Sequence, residues 1–259
     1  MAHPLTLRSD PPLGEIVLAR PERRNALNLA MWKAVPALVE AANADARVRV
    51  ILLHGGGCGV FAAGADISEF EAVYGTQDAA RRTGQIIAAA LKALEDSTKP
   101  VIAAIEGACV GGGVSLAAAC DLRVAHSGAS FGVTPAKLGL VYPPGDVRRL
   151  LQLIGPGAAK DLLLTGRLIP AAEAKAIGLI DRVTEEPVLQ AARDLAAEIA
   201  SVSQWSVRAV KKMIRGLQAG WREDGPEAEA LFLEGFANPD FAEGVRAFLD
   251  KRPADWKVK

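Results

Sequence analysis

The chain has few of the residues that build metal centres or disulfide frameworks. Its 259 residues include three cysteines (Cys58, Cys109, Cys120) and three histidines (His3, His54, His126), none at ligand spacing, so a structural zinc site is not expected. So sparse a cysteine set points to a reducing compartment, and the cytoplasm is the expected location. Charge of one sign is also missing. Lys plus Arg and Asp plus Glu number 30 each, so no net field attracts nucleic acid or an anionic membrane, and neither is expected as a partner. No apolar run approaches the ~18 residues of a membrane span, and the opening MAHPLTLRSDPPLG lacks the apolar stretch of a secretion signal. What is abundant is apolar residue, half of the composition, enough for a large core in one domain or two.

Strand-like runs end in glycine-rich turns at two places. Val48–Leu53 leads to Phe61-Ala62-Ala63-Gly64-Ala65-Asp66-Ile67, and Val101–Ile105 leads to Gly107-Ala108-Cys109-Val110-Gly111-Gly112-Gly113. A strand that breaks at small residues and restarts as a helix leaves backbone N–H groups unpaired. Two such ends converging would form an oxyanion hole, a pair of donors aimed at a carbonyl oxygen as it gains charge. Further strands are expected at Gly14–Leu18 and Leu122–Ala125. Helices are expected from the Asn28 cap to about Ala44, over Asp78–Asp96 with Ile86, Ile87, Leu91 and Leu94 on one stripe, and over Val114–Ala119. From Glu186 onward the pattern is helical throughout, in segments 186–201, 204–218, 226–237 and 239–250. The expected organisation is an α/β core over 1–185 that carries the site, and a helical region over 186–259 for assembly or as a lid.

The phrases RPERRNALN, FAAGADI, KPVIAAIEGACVGGG, LTGR and AFLDKR, in this order over about residues 14–256, resemble the enoyl-CoA hydratase/isomerase (crotonase) superfamily. The resemblance implies a spiral of ββα units, with tail helices that build homotrimers, often stacked as hexamers. It implies an acyl-CoA thioester as substrate, with no cofactor besides the CoA that the substrate carries. The backbone N–H groups of Ala65 and Gly112 would bind the thioester oxygen and stabilise an enolate. Arg24, Ala26, Ala63, Asp66 and Ile67 would line the nucleotide and pantetheine channel. Phe248 and Lys251 lie in the segment that approaches CoA, commonly from a neighbouring subunit. Asp66 has a second expected role, capping the helix that follows it.

Hydratases of this family carry a glutamate two residues after the glycine triplet and another about twenty residues later. Here those positions are Ser115 and Pro135, and an acidic position used by other members is Pro143. Thr134, Pro135, Leu138, Gly139 and Tyr142 are instead similar to the pattern of a decarboxylase relative, whose chemistry needs an oxyanion hole but no carboxylate base. Thr134 and Tyr142 are therefore candidate catalytic groups beside Ala65 and Gly112. Lys137 is read as a solvated loop cation. Glu69, Glu106, Asp146 and Asp161 are acids near the matched segments, of which Glu106 and Asp146 are best placed to replace a missing base. Two other readings stay open: a serine hydrolase built on Gly113-Val114-Ser115-Leu116-Ala117 and His54-Gly55-Gly56-Gly57, and a non-catalytic acyl-CoA binder.

Overall fold

A computed structural model describes residues 3–256. The elements run β1 (Leu5–Asp10), β2 (Leu13–Leu18), α1 (Leu29–Ala44), β3 (Val50–His54), α2 (Phe70–Tyr74), α3 (Gln77–Asp96), β4 (Val101–Ile105), β5 (Ala108–Val110), α4 (Gly112–Ala118) and β6 (Leu122–His126). They continue with β7 (Ser130–Gly132), α5 (Pro144–Thr165), β8 (Leu168–Pro170), α6 (Ala171–Ala176), β9 (Arg182–Thr184), α7 (Val188–Ala200), α8 (Gln204–Gln218), α9 (Pro226–Ala237) and α10 (Pro239–Leu249). Among the described residues no helix is long and apolar enough to cross a membrane.

Six strands form one sheet in the order β1-β2-β3-β4-β6-β9, parallel from β2 onward, and β5-β7-β8 form a second. The order never reverses, so the sheet has no Rossmann-type switch point. The chain winds forward one strand at a time, as the ββα expectation required. Strand β4 is apolar at every position, and β3 at every position but its last, His54, because both faces are covered. Ile51, Leu53, Val101, Ala103 and Ile105 pack in the main core with α1 and α3. Val50, Leu52, Ile102 and Ala104 pack on the other face against Val188, Ala192, Leu195 and Ala196 of α7. The first helix of the tail thus belongs to the packed body, and α8, α9 and α10 follow beyond it.

Local signals set most boundaries. The Asn28 side chain accepts from Met31 N–H at 2.9 Å and starts α1, which runs on through Pro36. Strand β3 begins at Val50 rather than Val48, because Val48 N–H closes a turn onto the Asp45 carbonyl. Helix α4 begins at Gly112, two residues before the expected start. Ser115 N–H already bonds the Gly111 carbonyl at 3.1 Å, a helical bond that glycine propensity does not advertise.

Candidate functional site

The two glycine turns touch. A Cβ built on Gly64 would sit 3.4 Å from the Val110 carbonyl oxygen, and one built on Gly111 would sit 3.9 Å from the Gly64 Cα. Segment 61–66 is held on both sides. Toward β5, Ala62 N–H donates to the Ala108 carbonyl at 3.0 Å and the Ala62 carbonyl accepts from Val110 N–H at 3.0 Å. Toward the loop before α1, Ala63 N–H donates to the Arg24 carbonyl at 3.1 Å, Leu27 N–H to the Gly64 carbonyl at 2.8 Å, and Asp66 N–H to the Leu27 carbonyl at 3.0 Å.

This pattern fixes the directions of two donors. A trans peptide is planar, and its C=O and N–H point opposite ways. The Gly64 carbonyl is drawn toward Leu27, so Ala65 N–H points away from Leu27. The Gly111 carbonyl is drawn into α4 by Ser115 N–H, so Gly112 N–H points out of the helix. Among the described residues neither Ala65 N–H nor Gly112 N–H has an acceptor in the protein. Ala65 is exposed and Gly112 half-buried. Gly111 holds φ +52°, ψ −112°, a conformation open to glycine and strained for residues with a Cβ.

Leu27 and Trp32 close one side, each 3.1 Å from where a Gly112 Cβ would stand. A narrow cavity of about 20 Å³ reaches Ala65 between Leu27, Trp32, Phe70, Val73 and Ile87. Behind Gly111 lies a second polar layer. The Tyr142 hydroxyl donates to the Gly111 carbonyl at 3.0 Å and meets the Ser115 hydroxyl at 2.6 Å. Burial pushes the Tyr142 phenol well above its ordinary pKa, so it stays a donor. Thr134 is half-buried, two residues beyond Gly132, whose carbonyl accepts from Gly111 N–H at 2.8 Å.

Asp146, in the first turn of α5, is buried at 3% exposure and bonds Arg149 at 3.0 Å. Arg149 in turn holds Glu95 of α3 with two bonds of 3.0 and 2.8 Å. Burial raises the Asp146 carboxyl above the ordinary range, with Arg149 opposing. Burial acts the same way on Glu95, but Arg149 and Arg148 outweigh it and hold that carboxyl low.

Of the residues singled out from the sequence, Arg24, Ala26, Ala63, Ala65, Asp66 and Ile67 lie along the two adjoining segments, with Gly112 next to them. Asp66 accepts from Ser68 N–H and O–H and pairs with Arg20 at 2.8 Å, so its carboxylate is engaged within the protein. Ser68 and Arg20 hold that carboxyl low. Phe248 lies in the last turn of α10 and is 84% exposed, and Lys251 follows two residues after the helix ends. Pro135 opens a short 3₁₀ turn, Pro135–Leu138.

The hydrolase reading fails on geometry. Ser115 is buried inside α4 and bonded to Tyr142, whereas His54 ends β3 with its ring 3.7 Å from Glu15. A nucleophile elbow needs an exposed serine beside a histidine. Two residues escaped the sequence reading. Arg20 ties its own loop to Asp66, and its guanidinium also reaches the Ala26 carbonyl at 2.7 Å. Asn25, fully buried at φ +53°, donates to the Gly55 and Val60 carbonyls and accepts from Arg20 N–H. An asparagine inside a short non-helical stretch was its only signal.

The chain is similar to known proteins over nearly its whole length. The enoyl-CoA hydratase/isomerase family model matches residues 10–259. A crotonyl-CoA hydratase of Syntrophomonas wolfei is 37% identical over 258 residues, 98% of either chain. The crystal structure of an enoyl-CoA hydratase/isomerase family protein from Hyphomonas neptunium superposes with a TM-score of 0.97 at 65% identity, covering 99% of this chain and 98% of that one. An enoyl-CoA hydratase from Bacillus anthracis gives a TM-score of 0.91 at 34% identity, covering 99% and 100%.

Proposed function

Because the chain belongs to the enoyl-CoA hydratase/isomerase family, we propose that Ala65 N–H and Gly112 N–H together bind the carbonyl oxygen of an acyl-CoA thioester and stabilise the enolate formed from it. The observation that carries this reading is the capture of the Gly64 and Gly111 carbonyls, which turns the next N–H outward at two touching turns. Donors fixed before the reaction need no reorganisation as charge develops, and losing one typically costs about 10²–10³ in rate. Arg24, Ala26, Ala63 and Ile67 then line the path of the CoA moiety. No cofactor is needed beyond the CoA of the substrate.

The reaction that follows the enolate depends on the acids nearby. Hydration needs a base for water and a proton for Cα, and Ser115 and Pro135 supply neither. Decarboxylation is the second reading, favoured by the absence of a carboxylate at Ser115 and Pro135: loss of CO₂ leaves the enolate directly without a base, and a proton from solvent completes the product. A non-catalytic acyl-CoA binder would keep the donors and turn nothing over. One experiment separates these readings. The purified protein is incubated with crotonyl-CoA, a 3-enoyl-CoA and methylmalonyl-CoA, and products are followed by mass spectrometry. Loss of CO₂ with slow hydration supports decarboxylation, and rapid hydration sinks it. Saturable acyl-CoA binding without any product supports the binder.

We infer in addition that α9 and α10 are covered in a homotrimer or a stacked pair of trimers. Phe232, Phe236, Phe241 and Phe248 are all exposed by about half or more, a large apolar face for one chain to leave in water. Light scattering that gave a monomer at micromolar concentration would overturn this.

A further inference from the structure

We propose that Tyr142 is a positioning residue for the oxyanion site: by donating to the Gly111 carbonyl, its hydroxyl fixes the plane of the Gly111–Gly112 peptide and so the aim of Gly112 N–H. The inference rests on the reading that Gly112 N–H contacts the thioester oxygen.

The argument starts from what otherwise holds that peptide. Residues 111, 112 and 113 are all glycine, so no side chain anchors the plane, and each glycine leaves its torsions soft. Ser115 N–H contributes one bond to the Gly111 carbonyl at 3.1 Å, the first of a helix only seven residues long. One bond leaves the plane free to rock about it. The Tyr142 hydroxyl adds a second bond at 3.0 Å and fills the other lone pair.

Tyr142 is itself rigid. A carbonyl can only accept, so the single phenolic proton goes to Gly111, and in the 2.6 Å contact Ser115 is the donor. The ring is 6% exposed. Two residues on, α5 begins, and its first turn is bound to α3 through Asp146, Arg149 and Glu95. Ser115, standing where hydratase relatives carry a glutamate, is small enough for the phenol to reach the backbone. A bond to the carbonyl also polarises the peptide and makes its N–H a stronger donor. Tyr142 thus acts on the thioester oxygen through Gly112, and no atom of its own needs to touch the substrate.

The test uses the full chain and 4-dimethylaminocinnamoyl-CoA, whose absorption moves to longer wavelength when donors polarise its carbonyl. The wild type is expected to show the red shift, and its absence would refute the oxyanion site itself rather than the role of Tyr142. In Tyr142→Phe the shift is expected to fall by roughly half, with turnover of the active acyl-CoA down about tenfold and KM little changed. A wild-type shift in folded Tyr142→Phe overturns the proposal. A second arm covers misfolding of that variant. The chain has two tyrosines, so Tyr74→Phe protein grown on 3-fluorotyrosine carries the analogue at 142 alone. Its more acidic phenol is the stronger donor, and a larger red shift than in Tyr74→Phe with ordinary tyrosine is expected. An equal or smaller shift overturns the proposal.

Discussion

Adding one methyl group at Gly113 tests whether the two donors act as a pair. A Cβ there would lie 2.8 Å from the Ala62 carbonyl oxygen and 3.0 Å from the Ala62 Cβ, too close to stay in place. Ala62 cannot yield easily, because its carbonyl accepts from Val110 N–H and its N–H donates to the Ala108 carbonyl, both at 3.0 Å. The first turn of α4 must therefore retreat by a few tenths of an ångström, carrying Gly112 N–H away from Ala65 N–H. Overpacking of this kind costs typically about 1–3 kcal/mol. For a chain of this size that lowers Tm by roughly 2–12 °C, at about 2–4 °C per kcal/mol. The functional loss should exceed what the remaining folded fraction explains. Misplacing a catalytic group by 1 Å can cost about 10²-fold, so a shift of a few tenths is expected to reduce acyl-CoA turnover roughly tenfold. Gly113→Ala is compared with Gly84→Ala on α3, where an added Cβ meets nothing within 4 Å and Tm should hold or rise. The assays are thermal melting, turnover, and the red shift of the bound cinnamoyl thioester. A lowered Tm with wild-type red shift and turnover would refute the argument, because it would show that α4 can move without moving the donor.

Crotonyl-CoA hydration by the wild type should be at least about a hundredfold slower than by a two-glutamate enzyme, since general acid–base help is worth ~10²–10⁴. Fast hydration that Asp146→Asn abolishes would show instead that the acid sits on α5. Glu95→Gln removes a carboxylate that Arg149 and Arg148 hold low, so its ionised form stabilises the fold above the ordinary glutamate pKa, and that stabilisation fades as pH falls. The variant should be about 1–3 kcal/mol less stable at pH 7, with the difference from wild type shrinking below about pH 4 in denaturant titrations. Asn25→Ala leaves the Gly55 and Val60 carbonyls and Arg20 N–H without their partner, and should cost about 2–4 kcal/mol by urea unfolding. A loss under about 0.5 kcal/mol would mean that the loop re-pairs these groups.

Where an element depends on its own residues, the sequence was enough. Asn28 announces α1, the apolar runs of β3 and β4 announce strands, and the breaks at Gly64 and Gly111 announce turns that free backbone N–H groups. Each of these follows from hydrogen-bonding capacity or conformational freedom within a few residues. The candidate site is legible only in part for the same reason. Ala65 and Gly112 can be marked from the turns and the family resemblance. Their directions depend on which partner takes the preceding carbonyl, and that is decided by Leu27 for Gly64 and by Ser115 with Tyr142 for Gly111. Tyr142 lies 31 residues from the carbonyl it binds, and Arg20 is brought to Asp66 only by the loop that Asn25 pins. No local pattern encodes such pairings. They arise when β5, α4 and the segments flanking α1 are packed in one register, which places fixed peptide planes opposite donors from distant parts of the chain.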